Sequence, residues 1–410
     1  MEDKYRFLDI ASRNWTSLID PIENHIPFFL FHESRFRDNI CEVYQCLTSG
    51  VKLAYAMKAN PWLLEVAANH VDFIEVCSDG ELSLCKQAKI SGEKVILNGM
   101  WRSDSTLLSA LDMGVVRFGV DRVEQMMQLL RFTGDRQVKV YLRVTSGNQF
   151  GMNSTDIEKC IGMSRTSQNV HIEGIQYYPG TQRAQAWQVR KDLNTLRKWL
   201  TWCESLQDFQ IRELEFGAGI GIPYFEEEQR ADYEEAFELV CQFIHEMKNR
   251  YQITYEAGRI LAASCGIYVT RIFAQKQLGK QHLLYCLGGT NHLRYHGGIL
   301  GIRTPKVQGI CRNPAGEVGN VMICGALCSE SDVLARNCKS LDKNISVGDA
   351  VLFLGAGAYS PTEVSNLFLG MEMPAIMLWR EVQGNSSPIC CVRKPMRITK
   401  LMYNGCDNNE

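Results

Sequence analysis

Four separated groups of residues could do chemistry. Lys58, in Tyr55-Ala56-Met57-Lys58-Ala59-Asn60-Pro61, closes a short apolar run. A lysine there is either a solvated surface group or, in a mouth that desolvates it, an amine of lowered pKa suited to Schiff-base formation. Gly217-Ala218-Gly219-Ile220-Gly221 follows a second apolar run and precedes a helix-forming segment. Gly217, Gly219 and Gly221 could expose backbone N–H groups to a phosphate, although a plain tight turn has the same spelling. Glu256 and Arg259 follow a third run, three residues apart. The guanidinium could grip phosphate in bidentate fashion, and the carboxylate could keep a pyridine nitrogen protonated, making the ring an electron sink. A structural ion pair between the two is the plain alternative. Cys328 lies in Gly325-Ala326-Leu327-Cys328-Ser329-Glu330-Ser331-Asp332. A thiol in such a polar, Gly-led loop is more exposed than a packing cysteine and could donate a proton. Gly357-Ala358-Tyr359 forms a further turn of this kind.

The elements that must position these residues alternate. Short β-like runs at Leu53–Met57, Phe73–Val76, Val95–Leu97, Val115–Gly119, Val138–Val144, His171–Tyr177, Glu213–Phe216 and Ile253–Tyr255 are separated by amphipathic stretches such as Ala184–Leu206 and Asp232–Arg250. Eight strands alternating with helices predict a (β/α)8 barrel of the α/β class rather than an open sheet. In such a barrel function gathers at the C-terminal strand ends, which carry Lys58, Ser78, Asn98, Arg143, Tyr178, the glycine loop, and Glu256 with Arg259. After Arg259 the pattern changes to short β runs at Ile267–Ala274, His282–Leu287, Val321–Cys324 and Ala350–Leu354, which predicts an all-β domain. Strand-like Phe28–Phe31 could join it. The expected division is residues 1–30 as an N-terminal segment joining the β domain, 31–265 as the barrel, 266–385 as the β domain and 386–410 as a polar tail.

Bulk properties narrow the function class. The 410 residues suit a large barrel plus a smaller partner. A hydrophobic fraction of 45% with 22% charged residues is that of a soluble globular protein. Net charge is −2, with no basic stripe, which argues against nucleic acid. No apolar run approaches the ~18 residues of a membrane span, and Met1 to Trp15 lacks a secretory h-region. The 16 cysteines show no zinc-ribbon pairing, and Cys41, Cys85, Cys241 and Cys265 sit in apolar stretches. The expected compartment is reducing and cytoplasmic, and no metal is expected.

Taken together, the motifs resemble those of the fold-type III pyridoxal-phosphate decarboxylases, the alanine racemase-like barrel family that contains ornithine and diaminopimelate decarboxylases. The resemblance spans roughly residues 25–380. Tyr55–Asn60 is similar to the cofactor-lysine motif and Glu75–Leu82 to the Ser-x-Gly-Glu strand end. Arg143 with Gln149-Phe150-Gly151-Met152 resembles the Arg…Lys-Phe-Gly-Met segment, and Gly217–Gly221 resembles the phosphate loop. Glu256-Ala257-Gly258-Arg259 resembles Glu-Pro-Gly-Arg, Cys328–Asp332 the Cys…Asp loop, and Gly357–Tyr359 Gly-Ala-Tyr.

The resemblance implies roles. Lys58 would hold pyridoxal 5'-phosphate as a Schiff base, with Arg143 among the cofactor-binding residues. Gly217, Gly219, Gly221, Arg259 and Tyr359 would hold its phosphate, and Glu256 would face the pyridine nitrogen. Cys328 would reprotonate the carbon that loses carbon dioxide, entering with Asp332 from the second subunit of a homodimer with shared active sites.

Three departures matter. Tyr178 stands where the family stacks a histidine on the ring, and Gln149 replaces a lysine. Ser329 follows Cys328 where an Asp or Glu normally reads the distal ammonium of a diamino acid. With Ser329 as a substrate-binding residue, the chain is more similar to decarboxylases of siderophore and microcin C-type antibiotic biosynthesis. Those accept an amino-acid moiety of a larger, even peptide-like, conjugate. A free-amino-acid decarboxylase of the diaminopimelate or ornithine type, or a non-catalytic regulator of the same fold, are the alternatives.

Overall fold

The computed structural model describes residues 5–11, 26–207, 209–296, 300–380 and 388–399. Strands are numbered in chain order from β1 (Phe28–His32). The next eight are β2 (Lys52–Ala56), β3 (Phe73–Val76), β4 (Val95–Leu97), β5 (Arg117–Val120), β6 (Val138–Arg143), β7 (Val170–Tyr177), β8 (Glu213–Phe216) and β9 (Gln252–Ala257). They pair in parallel in sequence order, and β9 returns to β2, so the sheet closes into an eight-stranded barrel. The expected barrel is therefore present, with strand ends displaced by a residue or so.

Local sequence explains the helices between the strands. Ser78, Ser103 and Asn153 each stand in extended backbone and accept the N–H three residues on, capping Asp79–Gln87, Asp104–Asp112 and Ser154–Ser164. Each helix buries one apolar stripe, such as Val189, Leu193, Leu196 and Leu200 in Ala186–Glu204. Inside the barrel, Ala54, Phe73 and Ile96 form a small apolar cluster.

Beside that cluster lies an ionic layer. Arg117 on β5 and Lys139 on β6 reach Glu213 on β8 at 2.8 and 2.9 Å, and the Tyr141 hydroxyl donates to the same carboxylate at 2.6 Å. Strands β5 and β8 are not neighbours, so these side chains meet across the interior. The Arg117 guanidinium also lies 4.5 Å from the centre of the Phe73 ring.

Contact grouping separates a second compact unit from the barrel unit. It comprises the described parts of Phe7–Asp38, Ile222–Arg230 and Leu261–Glu410. Its strands are β10 (Gly266–Leu278), β11 (Gln281–Cys286), β12 (Val307–Ile310), β13 (Val321–Cys324), β14 (Val333–Cys338), β15 (Ala350–Leu354), β16 (Ala375–Trp379) and β17 (Ile389–Arg393). The main path of the sheet runs β14-β13-β11-β10-β1-β16-β17, with β15 pairing β10 and β12.

This division departs from the expected boundaries in three places. β1 hydrogen-bonds to β10 on one side and β16 on the other, which carries the chain up to Asp38 with the β sheet. Residues 222–230 go with it because Tyr224 and Phe225 pack on Tyr295 and Glu226 donates its N–H to Thr304. The tail expected from 386 instead contains β17, antiparallel to β16 through Trp379↔Ile389 and Leu378↔Cys390. The apolar Ile-Cys-Cys-Val stretch supplies a strand that the polar residues around it conceal. Residues 1–4 and 12–25 of the expected N-terminal segment, and 386–387 and 400–410 of the expected tail, lie outside the described residues.

Candidate active site

Lys58 does not end the strand itself but sits in the one-turn helix Met57–Ala59 that follows β2. Two contacts pin that turn: the Asn60 side chain accepts the Trp62 N–H at 3.1 Å, and the Tyr55 hydroxyl donates to the Asn60 carbonyl at 3.0 Å. The Lys58 ammonium lies 3.1 Å from both carboxylate oxygens of Glu75 and 3.3 Å from the Cys77 sulfur. Cys77 in turn donates to Glu75 at 2.9 Å. Lys58 is half exposed whereas Glu75 is buried, so the amine occupies a boundary between water and the barrel interior.

Beneath it, three glutamates converge on one amide. Asn98, just past β4, donates Nδ2 to Glu215 at 3.0 Å and to Glu75 and Glu256 at 3.4 Å each. Gln176 on β7 donates Nε2 to Glu256 at 2.9 Å. All five side chains are buried. Burial drives Glu75 upward, but Lys58, the Cys77 thiol and Asn98 together overcome it and hold the carboxyl below its ordinary range. Glu256 is raised by burial and by the charge of Glu75. Glu215 is raised well above the carboxylate range by burial and by Glu256. The Cys77 thiol is likewise pushed up by burial and by Glu75.

The rim carries the remaining barrel candidates. Gly217 has no room for a side chain, because a Cβ there would lie 2.9 Å from the Tyr178 ring and 3.0 Å from the Glu256 carbonyl. Gly219 has φ +62°, and a Cβ would collide with the Gly180 carbonyl. Gly217 and Gly221 donate their N–H groups to Tyr177 and Arg183, so of the three glycines Gly219 is the one able to offer its N–H to a ligand. The helix expected immediately after the loop begins only at Arg230, and no helix N-terminus backs the glycines directly. Tyr178 is half-buried, with its hydroxyl pKa raised by burial. Arg259 opens the short helix Arg259–Ala262 and donates to the Thr181 hydroxyl at 3.3 Å. Glu256 is thus held by amides, not by Arg259.

Two expected site residues serve the scaffold in this structure. Arg143 pairs with Asp121 at 2.9 Å, its guanidinium 4.6 Å from the Phe150 ring centre, and Asp121 also accepts the Gly151 N–H at 3.0 Å. These contacts fix the Phe-Gly segment. Asp332, expected at the substrate, is buried, and its carboxylate accepts the N–H of Thr290 and Leu327 and the Thr290 hydroxyl at 2.7, 2.8 and 3.0 Å. A carboxylate so occupied holds the loop shape rather than a ligand.

The second unit carries the other candidates. Cys328 is an exposed thiol. The Ser329 hydroxyl lies 2.8 Å from that of Ser331, and both line a cavity of about 390 Å³ with Thr290, Asn291, Arg294 and Phe368. Tyr359 has φ +64° and accepts the N–H groups of Thr362 and Glu363 on its carbonyl, a tight corner just after Gly357.

The sequence reading missed Glu75, Cys77, Gln176 and Glu215 as site residues. A signal existed for the glutamates: each interrupts an otherwise apolar strand, Phe-Ile-Glu-Val and Glu-Leu-Glu-Phe. A carboxylate in mid-strand of a barrel faces either the helices or the interior, and either placement needs a partner.

Comparison with known proteins places this arrangement. A family model described as "Pyridoxal-dependent decarboxylase, pyridoxal binding domain" matches residues 34–263. The L-glutamyl-[BtrI acyl-carrier protein] decarboxylase of Niallia circulans is 25% identical, over 75% of this chain and 77% of its own length. The 2-[(L-alanin-3-ylcarbamoyl)methyl]-2-hydroxybutanedioate decarboxylase of Staphylococcus aureus is 24% identical, over 80% and 88%. In fold, the chain is similar to a diaminopimelate decarboxylase from M. jannaschii in co-complex with L-lysine, with TM-score 0.76, 19% identity, and 97% and 96% of the two chains covered.

Proposed function

The chain belongs to the pyridoxal-dependent decarboxylase family, and we propose that the α-carboxylate it removes sits on the amino-acid moiety of a larger conjugate. The observation that carries the substrate reading is the loop beside Cys328. Its neighbour is a hydroxyl, Ser329, and Asp332 has its carboxylate engaged within the loop. Neither offers the anion that a free diamino acid needs for its distal ammonium. The two relatives named above act on an amino acid carried by a protein and on one joined to a hydroxy polycarboxylate through a carbamoyl link, which supports the same reading. On this reading the reaction would serve the assembly of a siderophore or of a microcin C-type antibiotic.

The residues present fit pyridoxal phosphate. An amine at the mouth, a buried carboxylate held by amides, and a glycine N–H beside an arginine match its aldehyde, ring nitrogen and phosphate. When bound, the cofactor supplies an electron sink for the pair of electrons that carbon dioxide leaves behind. Lys58 would hold it, Glu256 would accept the ring nitrogen's hydrogen bond, and Tyr178 would lie along the ring face. Gly219 and Arg259 would bind the phosphate. Glu75 keeps Lys58 oriented, and Asn98 and Gln176 fix Glu256. The Cys328 sulfur would return the proton to the reacting carbon, from the partner subunit of a homodimer. The exposed cysteines Cys41, Cys328, Cys390 and Cys391 are thiols, which supports a reducing, cytoplasmic setting.

Carbon dioxide release from purified, cofactor-loaded protein tests this. Amide- or carrier-linked amino acids should turn over and free ornithine, lysine and diaminopimelate should not. Turnover of the free diamino acids alone would overturn the conjugate reading, and no turnover with cofactor bound would favour a regulator.

A further inference from the structure

Three carboxylates and one ammonium share the buried end of the barrel, and they cannot all be charged. Like charges in a dry site force at least one carboxyl to keep its proton. Glu75 is settled as an anion by the two-oxygen contact with Lys58. The question is between Glu215 and Glu256, two buried carboxyl groups that share one donor, the Asn98 Nδ2, at 3.0 and 3.4 Å. One shared amide cannot satisfy two buried anions beside a third, because ionised carboxylates only accept. One of them carries a hydrogen.

The donors around them identify which. Glu256 Oε1 receives the Gln176 amide at 2.9 Å and the Asn98 amide at 3.4 Å. Glu215 Oε1 receives Asn98 at 3.0 Å, but its Oε2 is buried and meets no N–H or O–H donor among the described residues. A buried oxygen without a donor is satisfied when it bears the hydrogen itself and gives it to a neighbouring acceptor. The groups facing Glu215 are Glu75 from β3, Asn98 beyond β4, Glu256 from β9 and, from the lower layer, Arg117 and Tyr141; Gln176 is its Cα partner on β7.

We propose that Glu215 is a positioning residue that carries a proton and donates it as a hydrogen bond to Glu256, keeping Glu256 an anion for the cofactor's ring nitrogen. The inference rests on the placement of that nitrogen at Glu256 proposed above. Its chemistry is a held proton, with none transferred: the O–H bond stays on Glu215 and its hydrogen bond steadies the Glu256 charge.

The test compares Glu215→Gln, whose amide can still donate to Glu256, with Glu215→Leu, which cannot. Infrared spectra of the cofactor-free protein at neutral pH should show the carbonyl stretch of a buried un-ionised carboxylic acid. Glu215→Gln should lose that band, and Glu215→Leu should regain one as Glu256 takes up the proton. In the loaded enzyme, Glu215→Gln should keep the pH profile of the cofactor absorbance. Glu215→Leu should displace it by about one pH unit and slow turnover roughly tenfold, the loss of one charge-assisted hydrogen bond. A band that persists in Glu215→Gln, or identical pH profiles for both variants, would overturn the proposal. Should both variants fail to fold, carbon-13-labelled glutamate in the wild-type protein decides: a carboxyl resonance still un-ionised at neutral pH supports the held proton, and its absence overturns it. If the band behaves as described while Glu256→Gln leaves the cofactor absorbance unmoved, the placement of the ring nitrogen fails and the proton assignment stands.

Discussion

The Lys58 ammonium lies 3.1 Å from each carboxylate oxygen of Glu75, a symmetric contact between the turn that follows β2 and the neighbouring strand β3. On the function proposed above, Lys58 is the group on which covalent capture of the cofactor would depend.

Lys58→Ala should therefore leave reversible phosphate-directed binding but abolish covalent attachment and cut turnover by about 10³-fold or more. Mass spectrometry after borohydride reduction checks this. A cofactor adduct that persists in the variant places the attachment on another residue.

Glu256→Gln should retain bound cofactor and slow decarboxylation by roughly 10²-fold, since an amide cannot stabilise a protonated ring nitrogen as a carboxylate does. The measurement is kcat at saturating cofactor. An unchanged value would reduce Glu256 to a buried hydrogen-bond acceptor.

Mixing Lys58→Ala protein with Cys328→Ala protein should restore activity if Cys328 of the partner subunit completes each site. Hybrids then contain one site with both lesions and one with neither, so about a quarter of wild-type activity is the ceiling under two-fold symmetry. No recovery in a sample shown to exchange subunits would mean that each site is built within one chain.

Glu213 governs acid stability. Burial would raise its pKa, but hydrogen bonds from Arg117, Tyr141 and Lys139 hold it at about 2. A depressed carboxyl contributes stability that is complete above its unfolded value of about 4.3 and is lost as pH falls toward the folded one. Tm should fall steeply between about pH 4 and 2, a contribution on the order of 3 kcal/mol. Glu213→Gln should remove much of that slope while lowering stability at pH 7 by roughly 3–5 kcal/mol, because Arg117 is left buried without its counter-charge.

Much of the barrel was legible because its signals are local. Apolar runs of four to six residues, Ser and Asn caps, and residues at strand ends needed no long-range information, and the positions of Lys58, Gly217–Gly221, Glu256 and Arg259 at or beyond their strands were read that way. What the sequence hid was pairing across the barrel. Glu75, Gln176 and Glu215 lie on three strands and Asn98 just past a fourth, and they meet only when the sheet closes. The engagement of Asp332 was hidden for a related reason: its partners, Thr290 and Leu327, come from a separate turn and its own loop, so nothing in its neighbours shows that the carboxylate is hydrogen-bonded. β17 was concealed by its polar flanks, since an edge strand needs only one apolar face.

Cys77 has a consequence for labelling chemistry. Its thiol donates to Glu75 and receives Lys58, and burial together with that carboxylate makes its thiolate costly to form. Alkylating reagents act on thiolates, so they should pass over this sulfur, although it touches the amine at the centre of the site. Cys41, Cys328, Cys390 and Cys391 are exposed instead. A fluorophore or spin label introduced through sulfur will therefore settle on the periphery and report from the Cys328 loop, leaving the carboxylate cluster chemically undisturbed.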